Sequence, residues 1–437
     1  MDLVKTDLSK VFRKYLISSM GSAVITSIYL FVDAVIVGQA AGPAGAATMA
    51  VMNPAYGALI FLALVGGIGG SVLMSASWGE GDREEGNRFF TCGVILMAII
   101  SVVMWLVLIL FHKPLFYLFG ADDEIFATTM TYARWIIGFT PLIMLSVFLG
   151  CYVRNDGNPG LAMMAVLIGG SFNMVADWAF VFPMGMGISG AGLATVIANA
   201  IQIVILSTHF FSGKNHMRLV KDCGFFRRAP KLISVGFGAG MLDLANVILF
   251  TLMNQQVMKL GGATYLALFS AVSTLSTFFQ SMFAGVGQAL QPIVSVNYGA
   301  KEFLRVRGIR NRSVLVAGTM GLVCSLFGIL CPETVVKVTM DATPEIVALA
   351  HEAVRPYSVI FLFMALNVVS TYYLQSTLQD RASTVISLLR GLIISGVMIF
   401  LLPAVFGGSS IWLAIPVAEI IVCIVAMAVL YRKNSAE

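Results

Sequence analysis

A long apolar stretch of this chain, GGSFNMVADWAFVFP at residues 169–183, contains an aspartate. Asn173 and Asp177 are four residues apart, so they lie on one face of a helix. Placing a charged side chain in hydrocarbon costs about 2.5–3.5 kcal/mol on insertion scales. Acids in membrane spans therefore face a protein interior or a wet cavity, and they commonly mark ion or proton routes. The other acids inside apolar stretches are Asp33, Asp243 and Glu419.

Such an acid also has a purely structural interpretation. Burial can keep the carboxyl neutral, or a base such as Arg390 or a helix end can pair with it. For Glu419, which has no polar partner grouped with it by spacing, the structural and the functional interpretations stay equally open.

Asp33, Asn173, Asp177 and Thr195 can converge on one site. The loop PMGMGISG turns the chain near residue 186, nine residues after Asp177 and nine before Thr195, so these two side chains lie at similar depth in an antiparallel hairpin. Asp33 lies about five residues inside the end of the first span. At about 1.5 Å per residue, both carboxylates are expected roughly 7–9 Å below the outer surface.

Two carboxylates, an amide oxygen and a hydroxyl form an all-oxygen donor set, which suits a hard cation such as Na⁺. The same set suits a proton, because two neighbouring carboxylates in a low dielectric repel each other when both are ionised. Binding one proton or one Na⁺ relieves that repulsion, and the spacing does not choose between the two ions.

The elements that position these residues are membrane-spanning helices. The 437 residues are 58% hydrophobic and 11% charged, with a mean hydropathy of +0.90, far from the roughly 25% charge of soluble domains. Apolar runs of about 20 residues, long enough to cross a bilayer, recur throughout. We predict an all-α polytopic membrane protein with twelve spans: 14–37, 48–77, 91–111, 129–152, 160–182, 190–209, 232–257, 264–292, 313–331, 354–377, 384–405 and 410–431.

The basic residues predict the orientation of these spans. If the N-terminus is cytoplasmic, 21 of the 27 Lys and Arg residues fall on that side and four on the other. Such a bias is the positive-inside pattern, so both termini are expected in the cytoplasm of a cell (plasma) membrane protein. The net charge of +5 is then an orientation signal and needs no nucleic-acid partner.

The chain echoes itself at half its length. GGIGGSVLMSASWGEGDREEGNR begins at Gly66 and GVGQALQPIVSVNYGAKEFLRVR begins at Gly285. An offset of 220 pairs Gly79 with Gly299 and Ser75 with Ser295. We therefore expect two six-helix lobes, 1–209 and 232–437, joined by a basic linker at 210–231. A pseudo-two-fold axis along the membrane normal would relate them, with the substrate between the halves as in transporters with parallel repeats.

The sequence resembles the multidrug and toxic compound extrusion (MATE) family over essentially its whole length. The resemblance rests on SIYLFVDAVIVGQ, GSVLMSASWGEGDREEGNR, GQALQPIVSVNYGAK, WLAIPVAE and, most specifically, RNDGNPGLAMMAVLIGGSFNMVADWAFVFPMGMGISGAGLAT. It implies a twelve-helix exporter of organic, often cationic or amphipathic, compounds driven by inward Na⁺ or H⁺ flow.

By motif position, the resemblance also assigns residues. Asp33, Asn173, Asp177 and Thr195 match the cation-coupling site of the branch that uses the N-terminal half, which would hold Na⁺ as its metal if Na⁺ drives transport. Tyr29 matches a cavity tyrosine nearby. Another branch uses acids in helices 7 and 10, whereas helix 10 here has an asparagine. The first span also lacks the proline of some members, so a mechanism based on proline bending does not transfer.

We expect alternating access in which cation binding and drug binding favour different states. Aromatic faces can hold organic cations, although aromatic side chains in membrane helices more often serve packing. The candidate substrate contacts are Tyr29, Tyr132, Asn254, Gln280 and Gln288.

The nearest alternative is a flippase of lipid-linked precursors from the same superfamily. A cavity for anionic headgroups would need arginines, and only Arg134 and Arg390 enter spans. An enzyme would need a nucleophile with a base, or a metal motif, at membrane depth, and no histidine lies centrally enough in a span to support one. The chain also has no phosphate-binding GxxxxGK[ST] pattern, so we expect no ATP drive. We therefore expect a monomeric non-enzyme without cofactors other than its coupling ion, acting on small organic substrates in a lipid bilayer.

Overall fold

The computed structural model describes residues 3–119, 121, 123–339 and 344–432, which form helices and no strand. The side chains at 43, 46, 124, 239–247, 263, 267, 338–339, 345 and 431–432 lie outside this description, and Asp243 is among them. The chain divides into a first unit, Met1–Gly240 with Ser295–Glu302, and a second unit, Met241–Val294 with Phe303–Glu437.

The first unit contains six helices and the start of a seventh. Its own helices are α1 (Leu8–Gly79), α2 (Arg83–Leu118), α3 (Asp123–Gly138), α4 (Thr140–Asn155), α5 (Pro159–Val181) and α6 (Ile188–Ser207). Helix α7 (Phe225–Gly299) also begins in this unit. Its first residue, Phe225, lies inside the segment 210–231 that was predicted as a linker.

The second unit contains most of α7 and the remaining helices. These are α8 (Phe303–Leu330), α9 (Pro332–Thr339), α10 (Pro344–Ser358), α11 (Ile360–Ser376), α12 (Asp380–Leu388), α13 (Ile394–Phe406) and α14 (Ile411–Arg432). A π-helical segment, Leu389–Ile393, joins α12 to α13.

Ten described helices or helix parts are long and apolar enough to cross a membrane. They are Leu8–Gly42, Ala47–Gly79, Arg83–Leu118, Pro159–Val181, Ile188–Phe211, Thr264–Gly299, Phe303–Leu330, Ile346–Ser376, Asp380–Phe406 and Gly408–Leu430. The bent pair Ile125–Gly138 and Thr140–Asn155 is an eleventh candidate. The remaining predicted span, 232–257, contains the undescribed side chains 239–247.

The predicted span 129–152 is not one straight helix, because it bends by 58° between α3 and α4. Pro141 has no N–H to continue the helical hydrogen bonds across this point. The Thr140 hydroxyl instead donates to the carbonyls of Ile136 at 2.9 Å and Ile137 at 3.2 Å. The side chain therefore satisfies carbonyl groups that the bend frees.

Glycine breaks both long helices. Gly42 in α1 has φ 55° and ψ −136°, and Gly262 in α7 has φ 63° and ψ −152°. Side chains with a Cβ rarely adopt these angles, whereas glycine does so readily. Gly42 therefore separates two parts of α1, Leu8–Gly42 and Ala47–Gly79, that are each long and apolar enough to cross a membrane. In α7 the part after Gly262, Thr264–Gly299, is such a span.

Candidate cation-coupling site

The hairpin of α5 and α6 carries three of the predicted site residues. Its turn contains Gly185 and Gly187, both with positive φ, which lets the chain reverse within a few residues. Gly190 then allows a close approach of the two helices, since a Cβ there would lie 2.7 Å from the Cβ of Phe180. This close packing holds Asn173 and Asp177 of α5 beside Thr195 of α6.

Two further glycines bring α1 and α3 against this hairpin. A Cβ on Gly170 of α5 would lie 2.8 Å from Cδ1 of Tyr29 in α1, and a Cβ on Gly192 of α6 would lie 2.4 Å from the backbone oxygen of Tyr132 in α3. Residues without side chains therefore occupy the helix crossings that surround the site. This packing brings Asp33, one turn after Tyr29, to the same cluster.

Both aspartates of the cluster are buried, and each has one oxygen with a partner and one without. Asp33 is 7% exposed and Asp177 is fully buried. The Tyr132 hydroxyl donates to Oδ2 of Asp33 at 3.1 Å, and Nδ2 of Asn173 donates to Oδ1 of Asp177 at 3.1 Å. Oδ1 of Asp33 and Oδ2 of Asp177 have no hydrogen-bond partner. A buried oxygen without a partner calls for a water, an ion or a proton.

A hydrogen bond from Asn199 holds the backbone of Thr195 in place at the cluster. The backbone oxygen of Thr195 accepts this hydrogen bond from Nδ2 of Asn199 at 2.8 Å, and Oδ1 of Asn199 accepts from the Ser146 hydroxyl at 2.6 Å. The Asn199 side chain is therefore held from both ends, between α4 and α6. This arrangement fixes the turn of α6 that carries Thr195.

A cavity of about 200 Å³ opens beside the cluster. It is lined by Tyr29, Leu30, Asp33, Ala34, Met49, Met52, Asn53, Tyr56, Tyr132, Ile136, Asn173 and Thr195. Since one water occupies about 30 Å³ of liquid, the cavity has room for a small cation with a few waters. Pockets for drug-sized ligands run from about 300 Å³ upward, so this cavity alone is too small for such a ligand.

The donor set fits a monovalent cation better than a transition metal. The described residues contain no group of three or more His, Cys, Asp or Glu that could hold a metal ion. The cluster instead combines two carboxylates with neutral amide and hydroxyl groups. Hard oxygen donors of this kind suit Na⁺, and the paired carboxylates suit a proton.

The predicted substrate contacts fall into two groups. Tyr29 and Tyr132 line the cavity in the first unit, and Tyr132 also bonds to Asp33 directly. Asn254, Gln280 and Gln288 lie on α7 in the second unit. Asn254 is exposed, and the two glutamines are half-buried.

Three polar residues near the site were not predicted from the sequence. Asn199 holds the backbone of Thr195, and Asn53 and Tyr56 line the cavity. A signal for Asn199 was present, because Thr195 and Asn199 have the same four-residue spacing as Asn173 and Asp177. Asn53 and Tyr56 lie beyond the break at Gly42, so spacing along one helix could not place them beside Asp33.

A known protein family matches most of this chain. The MatE family model matches residues 19–179 and 241–401, which is two copies over most of the chain. The chain belongs to the MatE family. The resemblance inferred from sequence motifs is therefore confirmed, and the two matched stretches correspond to the two halves of the predicted repeat.

MatE relatives cover the chain nearly end to end. The chain is 20% identical over 432 residues to the multidrug export protein MepA of Staphylococcus saprophyticus, covering 98% of this chain and 94% of the relative. It is 20% identical over 431 residues to MepA of Staphylococcus aureus strain MSSA476, with the same coverages. These relatives are export proteins, which confirms the expectation that the chain is not an enzyme.

Solved structures share the fold. One, described as an outward-facing conformation of a multidrug resistance MATE family transporter, matches with a TM-score of 0.92 and 19% identity over 99% of this chain and 97% of the other. A transporter from Pyrococcus furiosus, described as having reversed binding-pocket polarity, matches with a TM-score of 0.91, the same identity and the same coverages. These matches confirm the expected fold class, a polytopic helical membrane protein of twelve helices in two lobes.

Proposed function

We propose that this protein is a secondary antiporter that exports small organic compounds from the cytoplasm in exchange for Na⁺ or H⁺. Asp33, Asn173, Asp177 and Thr195 form its cation-coupling site. The observation that carries the proposal is the pair of buried aspartates, each with one oxygen that no protein group satisfies.

The coupling step follows from this pair. Without a cation, two neighbouring carboxylates in a low dielectric repel each other. This repulsion favours a conformation in which the helices that carry them, α1 and α5, lie further apart. A bound proton or Na⁺ removes the repulsion and favours closer packing of α1 and α5. A cation can shift the conformational equilibrium only by its difference in affinity between the two states.

The compound and the cation need not touch. If each favours a different state, binding of one weakens binding of the other by a coupling free energy, typically about 1–3 kcal/mol. The size of the cavity supports separate sites, since about 200 Å³ suits a cation and not a drug. Tyr29 borders this cavity and offers a ring face to an organic cation approaching from outside it.

The flippase alternative is less well supported. An anionic headgroup would need free guanidinium groups, and both candidate arginines have partners. Arg134 donates to the Ser189 hydroxyl at 2.5 Å, and Arg390 donates to Glu419 at 2.5 Å. Neither arginine lines the cavity beside Asp33.

We also propose that both termini face the cytoplasm of the plasma membrane, as the distribution of basic residues indicates. The MepA relatives are named as multidrug export proteins of bacteria, which supports a location in the plasma membrane. A reporter that is active only in the cytoplasm, fused to the C-terminus, should be active.

The coupling proposal is tested by Asp33→Asn in membrane vesicles loaded with a fluorescent cationic dye. An imposed Na⁺ or pH gradient should drive dye transport by the wild type and not by the variant, because the variant has lost one of the two carboxylates that bind the coupling ion. Comparing the two gradients identifies the ion. Asp222→Asn, at an exposed position in the segment before α7, is the matched control and should transport normally. Full transport by Asp33→Asn at normal membrane abundance would refute the coupling assignment.

A further inference from the structure

Residues with matching backbone conformations relate positions in the two halves of the chain. The glycine breaks at Gly42 and Gly262 are 220 residues apart. Gly157 and Leu378, which follow α4 and α11 and both have positive φ, are 221 apart. Equivalent positions in the two units can therefore be assigned within one residue.

The four residues of the cation-coupling site have apolar equivalents in the second unit. At these offsets Asp33 corresponds to Met253, and Asn173 and Asp177 correspond to Ile394 and Met398. Gly187 and Gly407, which precede the next helix in each unit and both have positive φ, are 220 apart, so Thr195 corresponds to Ile415. Carbon side chains and a thioether offer none of the hard oxygen donors that a proton or Na⁺ requires. The four corresponding side chains of the second unit therefore offer no oxygen donor.

The polar group next to that site does have a counterpart. In the first unit the Ser146 hydroxyl donates to Oδ1 of Asn199 at 2.6 Å. In the second unit Asn367 corresponds to Ser146 and Glu419 corresponds to Asn199, and Nδ2 of Asn367 donates to Oε2 of Glu419 at 2.6 Å. The same inter-helix hydrogen bond recurs, but a carboxylate has replaced the amide.

A guanidinium accompanies this carboxylate. Arg390 lies at the position equivalent to Gly169, and its Nε donates to Oε1 of Glu419 at 2.5 Å. Both side chains are 4% exposed. At Gly169 itself a Cβ would lie 2.5 Å from Cγ of Gln202, so the first unit has no room for a side chain there. The pair is thus an addition specific to the second unit.

The backbone around Arg390 departs from the α-helix. Residues Leu389–Ile393 form a π-helical turn. Such turns are rare in proteins, and those that occur often lie at functional sites. The backbone oxygen of Arg390 accepts a hydrogen bond from the Ser395 hydroxyl, five residues on. The wider turn gives Arg390 a different projection from that of an α-helical residue, and its guanidinium reaches Glu419 of α14.

We propose that Arg390 is a tethered cation that permanently occupies the buried carboxylate of Glu419, so that this acid cannot load the coupling ion. This inference rests on the proposed function. A guanidinium keeps its charge at every relevant pH, and that of Arg390 is held against the Glu419 carboxylate at 2.5 Å. The paired Glu419 then has no repulsion that a coupling ion would relieve, whereas ion binding at Asp33 and Asp177 changes the packing of the first unit.

The inference predicts that removing the guanidinium creates a new loadable site. In Arg390→Met the carboxylate of Glu419 is buried without a cation, and a buried unpaired charge neutralises by taking up a proton. Among the residues that the structure describes, Tyr357 of α10 and Cys423, one turn further along α14, also lie near Glu419. Neither supplies a positive charge in place of Arg390.

The first measurement is proton uptake by purified protein in detergent as the solution is acidified, followed with a pH-indicator dye. Arg390→Met should bind roughly one proton per molecule more than the double variant R390M/E419Q, because only the single variant has the unpaired carboxylate. Equal uptake by these two variants would overturn the inference.

The second measurement is ion-driven dye transport by R390M/E419Q. Replacing both members of a buried ion pair by neutral groups of similar size is commonly tolerated, whereas E419Q alone leaves an unpaired guanidinium and should be strongly destabilised. The double variant should transport within about twofold of the wild type, because the pair takes no part in loading. A folded double variant that has lost ion-driven transport would overturn the inference.

Asp33→Asn separates this inference from the proposed function. If Asp33→Asn transports normally, the proposed coupling site is wrong whatever Arg390 does. If Asp33→Asn is inactive and the double variant is also inactive though folded, the coupling site stands and the tethered-cation role of Arg390 fails.

Discussion

The contact between Gly192 and Tyr132 offers a direct test of how the cluster is built. Gly192→Ala adds one methyl group to α6, at a point where α3 passes close by. The added Cβ would lie 2.4 Å from the backbone oxygen of Tyr132, whereas ordinary contact begins near 3.4 Å. The obstacle is backbone and cannot rotate away, so the two helices must separate by about 1 Å.

This separation acts on the site through one hydrogen bond. The Tyr132 hydroxyl is 3.1 Å from Oδ2 of Asp33 in α1, and a shift of α3 that lengthens this distance by about 1 Å would place the atoms beyond hydrogen-bonding distance. Overpacking of this kind costs about 1–3 kcal/mol in stability. In enzymes a displacement of about 1 Å can cost about a hundredfold in rate. We therefore expect at least a tenfold loss of ion-driven transport with only a moderate loss of stability.

The assay compares Gly192→Ala with Gly150→Ala in dye-loaded vesicles, with thermal unfolding measured on the purified proteins. Gly150 lies inside α4, and a Cβ there would meet no atom within 4 Å. The control should therefore keep wild-type transport and gain about 0.5–1 kcal/mol of stability, since alanine suits a helix interior better than glycine. Equal transport by the two variants would show that the close approach of α6 to α3 does not position the site.

Two further substitutions test the framework around the site. Gly42→Ala places a Cβ on a residue with φ 55° and should lower the free energy of unfolding by about 1–3 kcal/mol. The control Gly57→Ala has open space around its added Cβ and should not lower the unfolding temperature. Similar unfolding temperatures for the two variants would contradict a strained break in α1. Arg228→Met removes two hydrogen bonds to Glu85, at 2.9 and 2.5 Å, and should cost about 1.5–3 kcal/mol. The exposed neighbour Arg227 is the control, and an equal effect of Arg227→Met would show that the Glu85 contact is not the cause.

Much of the fold could be predicted from the sequence, because membrane spans are a property of local composition. An apolar run of about 20 residues crosses a bilayer wherever it occurs, and the repeat at an offset of 220 indicated two equivalent halves. The bend between α3 and α4 was missed, since a proline near the middle of an apolar run does not reveal how its helix will respond. The start of α7 at Phe225 was also missed, because the basic residues there suggested a loop.

The candidate site was partly predictable for a different reason. The i, i+4 spacing of Asn173 and Asp177 specifies their common face without any tertiary information. The hydrogen bond between Tyr132 and Asp33 joins residues 99 apart in the chain, and it depends on the glycine contacts that bring α3 and α6 together. No local pattern encodes that distance.

The sequence by itself determined that this chain spans a membrane and that its buried acids require partners, since both follow from the free energy of moving side chains out of water. Only the tertiary structure decided which acid receives which partner. Asp33 and Asp177 keep an oxygen each without a protein donor, whereas Glu419 is paired with Arg390. The difference lies in helix packing: glycines draw α5 and α6 against α1 and α3 in one unit, and a π-helical turn directs an arginine to the acid in the other.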